Sequence, residues 1–250
     1  MAQTGPEPAA GDGMTAAGTT LRVRLTPPWL LADLGRQRRV LSFAPHRPGF
    51  EAARHILLRQ VRDAELGPEL DATRWLAAEM ARIGHAGAVG MMTSRALRHH
   101  RLACAGPVAC LATVGLGNAE RVGRRRMVPP RGHGTINIVL LVEEGLTDAA
   151  MIEALSIVAE ARTAAILSAG IELPTGRATG TGTDCIAVAC DAGGTAFAGL
   201  HTALGEAIGA AVHDAVLAGA LAWVAEHGSR PPPTAPDLCH PCPAPGCADP

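Results

Sequence analysis

The chain contains no tyrosine, and only three phenylalanines and three tryptophans stand among its 250 residues. A core with so few aromatic rings must be assembled from aliphatic side chains, and the 48% hydrophobic content permits one of good size. An excess of charge of one sign is also missing, since the formal net charge is −1. Proteins that track a phosphate backbone concentrate Lys and Arg in a patch or stripe, so no nucleic-acid partner is expected. The short basic clusters Arg36-Gln37-Arg38-Arg39 and Arg124-Arg125-Arg126 read as solvated turns, with anion contact as the sharper alternative. No run approaches the ~18 consecutive apolar residues of a membrane span. The first residues carry Glu, Pro and Gly where a secretion signal needs a basic start and an apolar stretch. A cytoplasmic protein without a membrane partner is expected. The seven cysteines are odd in number and irregularly spaced, which does not outline a disulfide framework. Cys104, Cys110, Cys185 and Cys190 stand among apolar neighbours and read as small core residues.

Residues 1–20 are rich in Ala, Gly, Thr and Pro without periodicity and are expected to form a disordered leader. From about residue 229 the chain runs into a Pro/Cys tail, 229–250, expected to lack packed structure. A single domain, 21–228, remains between them. The tail offers Cys239, His240, Cys242 and Cys247 at spacing that suits zinc, but prolines break it and a second paired motif is lacking. Zinc binding there is a rival reading, and no metal is assigned to the domain itself.

Within the domain, Leu21–Leu25 alternates as a strand does, and Trp29–Leu34 and Arg38–Phe43 read as two strands joined by a hairpin at Gly35-Arg36-Gln37. Asp71 is placed to cap a helix that runs to Arg82, ahead of Gly84. Ala88–Met92, Val108–Val114 and Thr135–Val142 are β-rich runs. Thr147 as N-cap, Asp148 in the first turn and Gly170 past the end delimit the clearest helix. Cys185–Cys190 reads as a strand and His201–Glu226 as a long Ala-rich helix. Strands first and then alternating helices and strands give an α/β (α+β) layered domain.

Four polar islands end these apolar runs: Gly90–Ser94, Thr113–Ala119, Gly132–Ile138 and Ala178–Asp184. Loops held by a rigid sheet are where sites are commonly built. The fourth is the most unusual, with Thr179, Thr181 and Thr183 alternating with Gly180 and Gly182 and ending on Asp184. Glycine lets backbone approach a ligand, hydroxyls donate and accept, and a carboxylate orients them. It lacks the Gly-Lys-Ser/Thr ending of a P-loop.

In this order the islands resemble the adenosylcobinamide amidohydrolase family. The most specific pieces are Gly134-Thr135-Ile136-Asn137-Ile138, Ala159-Glu160-Ala161-Arg162-Thr163-Ala164-Ala165, Ala178–Asp184 and Leu200-His201-Thr202-Ala203-Leu204-Gly205-Glu206. Two departures stand out: Gly117 where the family often has Ser, and Arg162 where it often has Lys, a swap that keeps charge but changes geometry. The resemblance implies hydrolysis of the amide joining aminopropanol to the corrin, giving adenosylcobyric acid in salvage of acquired cobinamide. The partner is then a corrinoid small molecule. No cofactor is implied, because the cobalt belongs to the substrate. A homo-oligomer is compatible with this reading.

A second, weaker resemblance links Gly134–Cys190 to the self-processing β-aminopeptidases and ornithine acetyltransferases, which implies an αββα sandwich of β-sheets with flanking helices. It implies Thr135 as nucleophile, freed as a new N-terminus by cleavage after Gly134. Amide hydrolysis also needs a base and oxyanion donors. Glu160 or Asp184 is the base if the chain stays whole. Asn118 or the backbone of Gly115–Gly117 is expected at the oxyanion, and Asn137, on the strand face of Thr135, orients either group. Thr93, Thr113, Thr181, Thr183, His201 and Glu206 are expected to bind substrate, and His133 to titrate beside the site. Met91, Met92 and Leu116 are expected to offer the corrin soft apolar surface. Rival readings are an Ntn-type peptidase or acyltransferase and a non-catalytic corrinoid-binding protein.

Overall fold

The computed structural model describes residues 14–15, 19–62, 65, 67, 70–124, 126–127 and 134–228. His133, the Cys239–Cys247 cluster and most of the expected leader lie outside the described residues. Among those described, nine strands form one sheet in the order β1-β2-β3-β13-β9-β7-β6, with β4 on the free side of β3 and β5 beyond it. The ranges are β1 Met14–Thr15, β2 Arg22–Thr26, β3 Trp29–Ser42, β4 Gly49–Gln60, β5 Val89–Thr93, β6 Arg101–Ala105, β7 Val108–Val114, β9 Ile136–Leu146 and β13 Cys185–Ala192. Short ribbons are made by β8 Ala119–Glu120 with β12 Gly180–Thr181, and by β10 Glu172–Leu173 with β11 Gly176–Arg177. The helices are α1 Ala72–Arg82, α2 Asp148–Ala169 and α3 Ala203–His227.

Side-chain alternation separates the layers. Ile136, Ile138, Leu140 and Val142 of β9, with Ile186 and Val188 of β13, share one core with α2 and α3. The intervening Val139, Leu141, Ala187 and Ala189 join a second core with Val23, Leu30, Ile56 and Met91. Outside that second half-sheet, Leu76 and Met80 of α1 pack with Trp29, Leu31 and Leu57. The result is an αββα sandwich. Strands buried on both faces are apolar almost throughout, which is why β7 and β9 stand out in the sequence.

The helix termini follow local chemistry. Asp71 Oδ1 accepts from Arg74 N at 3.0 Å, Thr147 Oγ1 from Ala150 N at 3.2 Å and Thr202 Oγ1 from Gly205 N at 2.8 Å. Gly170 closes α2 in the left-handed region at φ 70°. α3 is long and apolar enough in composition to cross a membrane, yet here it packs against α2, β6 and β7.

The hairpin expected at Gly35–Gln37 does not form. β3 runs straight through it and pairs with β4 on both sides of a register shift between Asp33 and Arg38. Gly35, at φ +80°, donates its N–H to Asp33 Oδ1 at 2.9 Å within this bulge. The irregularity lets one strand serve both half-sheets, since its start pairs with β2 and its end with β13. Order also begins before residue 21: β1 pairs with β2, and Thr20 donates its N–H to Glu143 Oε1 at 2.6 Å.

The basic cluster around Arg38 is no solvated turn. The Arg38 side chain has no exposed surface and binds Glu143 Oε2 at 2.5 Å and Asp191 Oδ2 at 2.9 Å. Arg126 is likewise buried and donates to Glu120 Oε1 at 3.1 Å.

Candidate active site

β9 and β13 run parallel, so their N-terminal ends lie side by side, and antiparallel β7 brings its C-terminal end to the same edge. Gly134–Thr135, Ala178–Asp184 and Gly115–Asn118 therefore meet there. Thr93 and Ser94, leaving β5, complete the group from the other layer, and Asn137 Nδ2 fastens the layers by donating to Met92 O at 2.8 Å. A cavity of about 370 Å³ opens here, lined by Thr135, Thr183, Asn118 and Asp184, by Met92, Thr93 and Ser94, and by Phe43 at its exposed mouth. A larger, more open cleft of about 560 Å³ lies by the other end of β5, near Arg47, Arg54, His55 and His85. Its arginines are already bound to Glu51 and Asp33. The smaller cavity is the one that gathers reactive groups.

Its centre is a relay of neutral groups. Thr135 Oγ1 lies 2.6 Å from Thr183 Oγ1 and 2.7 Å from Thr183 O. Thr183 Oγ1 donates to Gly134 O at 2.8 Å and accepts from Asn118 Nδ2 at 3.2 Å. Each hydroxyl has one proton, and that of Thr183 is spent on Gly134 O. The Thr135 proton therefore points at Thr183, leaving the lone pairs of Thr135 Oγ1 free of that contact. Asn118 Oδ1 is buried and has no hydrogen-bond partner among the described residues.

Asp184 anchors the fourth island. Its Oδ1 accepts from Ile136 N at 3.2 Å and from Thr181 Oγ1 at 2.5 Å, and Oδ2 accepts from Thr181 N at 3.1 Å. Arg162 reaches from α2 to complete an ion pair with Asp184, of which 9% of the side chain is exposed. Burial pushes the Arg162 guanidinium below its ordinary value. Gly180 makes room for this pair, because a Cβ there would lie 2.5 Å from Arg162 Nη1 and 2.6 Å from Asp184 Oδ2. Gly134 is equally tight against backbone: its Cβ would lie 2.6 Å from Gly115 O and 2.7 Å from Gly117 N.

Thr135, Thr183, Asn118, Asp184 and Thr93 thus come together at one cavity. Others do not. Glu160 sits on the solvent face of α2, and Arg162, two residues on, takes the inward direction. His201 and Glu206 are exposed at the start of α3. β13 runs away from the cavity before that helix begins, which puts its N-terminus at the opposite end of the sandwich. Thr113 and Asn137 lie beneath the cavity, paired across β7 and β9 and fully buried. Thr113 Oγ1 and Asn137 Oδ1 have no hydrogen-bond partner among the described residues. Thr181 turns its hydroxyl to Asp184. The Gly115 N–H is spent on Thr135 O at 3.0 Å, which removes it as an oxyanion donor. Of the apolar residues expected to meet a ligand, Met92 lines the cavity, whereas Met91 and Leu116 are core. Phe43 escaped notice in the sequence; an aromatic at a strand end two residues before Pro45 was the available signal. Cys185 also lines the cavity, but burial pushes its thiol up to about 12, so it holds no thiolate at neutral pH.

A sequence model of the family described as adenosylcobinamide amidohydrolase matches residues 14–228. A Halobacterium salinarum protein named adenosylcobinamide amidohydrolase is 34% identical over 139 residues, 51% of this chain and 56% of that protein. An uncharacterized protein of Methanocaldococcus jannaschii is 41% identical over 96 residues, 37% of this chain and 38% of that one. The chain therefore spans about half or less of the length of the curated relatives it matches.

Proposed function

The chain belongs to the adenosylcobinamide amidohydrolase family, and on that premise we propose that it hydrolyses the amide between the corrin and aminopropanol of adenosylcobinamide. The products are adenosylcobyric acid and the amino alcohol, a step suited to salvage of acquired cobinamide. The observation that carries this reading is the relay of Thr135, Thr183 and Asn118 at the cavity, with the Thr135 hydroxyl 2.6 Å from Thr183 Oγ1.

In the proposed reaction Thr135 Oγ1 attacks the amide carbon and its proton passes to a base. The second hydrogen of Asn118 Nδ2 faces the oxyanion. Collapse expels the protonated amine, and water then hydrolyses the Thr135 ester and restores the hydroxyl. Asp184 makes a poor base, since its oxygens already accept from Ile136 and Thr181 and pair with Arg162. The base we propose is the α-amine of Thr135, freed by hydrolysis of the Gly134–Thr135 peptide bond. In support, Thr183 Oγ1 already donates to Gly134 O, where the oxyanion of that cleavage would form. No protein-bound metal or cofactor enters the scheme, the cobalt being part of the substrate. A cytoplasmic, reducing location belongs to the same proposal and agrees with the buried free thiols Cys110, Cys185 and Cys190.

Incubation with adenosylcobinamide, identification of both products and intact-mass measurement test the scheme together. Release of aminopropanol by a chain cut after Gly134 is expected. Bound but unchanged corrinoid would make the protein a carrier, and turnover of peptides or acyl donors alone would make it an Ntn-type peptidase or acyltransferase. Full activity from an uncut chain would remove the amine and leave Thr135 in need of another base.

A further inference from the structure

All three phenylalanines of this aromatic-poor chain lie at the surface, with Phe43 49%, Phe50 50% and Phe197 71% exposed. Aromatic rings dominate cores and interfaces because of the apolar area they cover, and Trp29 and Trp223 are buried in keeping with that. Phe43 lines the cavity. Phe50 stands opposite Leu41 in the β3–β4 ladder. Phe43 follows Leu41 by two residues, just past the end of β3 at Ser42, so continued alternation puts Phe43 and Phe50 diagonally on one side of the sheet. Arg39 is on the same face, its guanidinium 6.0 Å from the Phe50 ring centre. An exposed aromatic shelf therefore continues outward from the cavity mouth.

Size decides what such a shelf serves. The cavity, about 370 Å³, is near the small end of the range for small-molecule sites. A corrin with its axial groups exceeds a drug-sized ligand, so the cavity accepts the arm bearing the scissile amide and leaves the macrocycle outside. We infer that Phe43 and Phe50 form the platform on which the flat face of the corrin macrocycle rests while that arm enters the cavity. This rests on the substrate reading given above. Phe43 belongs to both cavity and shelf, so one residue fixes the position of ring and arm together. The platform acts on substrate binding and leaves the chemistry at Thr135 alone.

The test is steady-state hydrolysis of adenosylcobinamide, with affinity measured separately by corrinoid absorbance, for Phe43→Ala, Phe50→Ala, Phe43→Trp and Phe197→Ala. Phe197 provides a still more exposed ring on the loop after β13, away from the cavity. KM and Kd should rise about 10-fold in the two shelf alanine variants, with kcat little changed. Phe43→Trp should keep wild-type affinity, and its added fluorescence should be quenched by bound corrinoid. Phe197→Ala should match wild type. Unchanged KM and Kd in both shelf variants, or an equal rise in Phe197→Ala, would overturn the platform while leaving the amidohydrolase reading intact. Failure of the wild-type protein to bind or cleave the corrinoid would overturn both.

Discussion

The two ends of the β9–β13 pair are both polar and are built in opposite ways. At the N-terminal end, neutral hydroxyls and an amide border an open cavity, and Asn118 Oδ1 is left without a partner among the described residues. At the C-terminal end, Arg38 is buried and hydrogen-bonded to Glu143, Asp191, Thr20 and the Leu34 carbonyl. Burial alone would raise the Glu143 carboxyl, but hydrogen bonds from Thr20 and Arg38 hold it below the usual carboxylate range. Charge that is paired with charge locks a fold; neutral groups with spare capacity receive a ligand. At the cavity the one lining charge among the described residues, Asp184, is already tied to Arg162, and the Arg95–Glu226 pair stands behind Ser94.

This contrast can be broken by substitution. The largest effect belongs to Thr135→Ala, expected to lower kcat by at least about 10³-fold with thermal stability unchanged. Near-normal turnover would move the nucleophile elsewhere. At the opposite end Arg38→Met should do the reverse. Removing a buried cation from two partly exposed carboxylates should destabilise the fold by about 2–3 kcal/mol and leave kcat per folded molecule intact, as denaturant titration and active-site-normalised assays would report. Gly134→Ala should combine both losses. Its methyl meets backbone at Gly115 and Gly117, not a yielding side chain, so a cost of about 1–3 kcal/mol and a displaced Thr135 are expected. Wild-type activity in a fully stable Gly134→Ala protein would show that the relay tolerates movement.

The smallest effect is a pH-dependent one. The Arg95 hydrogen bonds hold the Glu226 carboxyl at about 2, below its ordinary 4.5. A carboxyl lowered in the folded state lends stability above the unfolded pKa and loses it as pH falls through the folded one. Glu226→Gln should therefore lower Tm slightly at pH 6, with the difference fading between pH 4.5 and about 2. A difference that persists at pH 2 would mean the pair acts by packing alone.

Much of the fold is legible in the sequence alone. Thr147 and Gly170 bound α2 because capping and left-handed closure depend on residues within one turn. β7 and β9 were legible because layers on both faces demand unbroken apolar runs. β3 was misread as a hairpin because a glycine at positive φ signals a turn and a bulge alike, and only the partner strand distinguishes them. In the site, Thr135, Thr183, Asn118 and Asp184 were legible because polar islands flanked by apolar strands must sit at strand ends. Glu160 was misplaced because helical phase over 22 residues decides whether position 160 or 162 faces inward.

Local chemistry written in the sequence determined the caps, the layer-forming runs, the polar islands and the family. Tertiary structure alone decided that β9 and β13 run parallel, so that four islands from distant stretches share one edge while His201 and Glu206 are carried to the other. It also decided that Arg38 is buried and that Phe43 and Phe50 share an exposed face. The physical reason is range: a cap or an alternation involves neighbours along the chain, whereas strand direction and pairing are settled by partners well beyond them, as Cys185 is by Asn137.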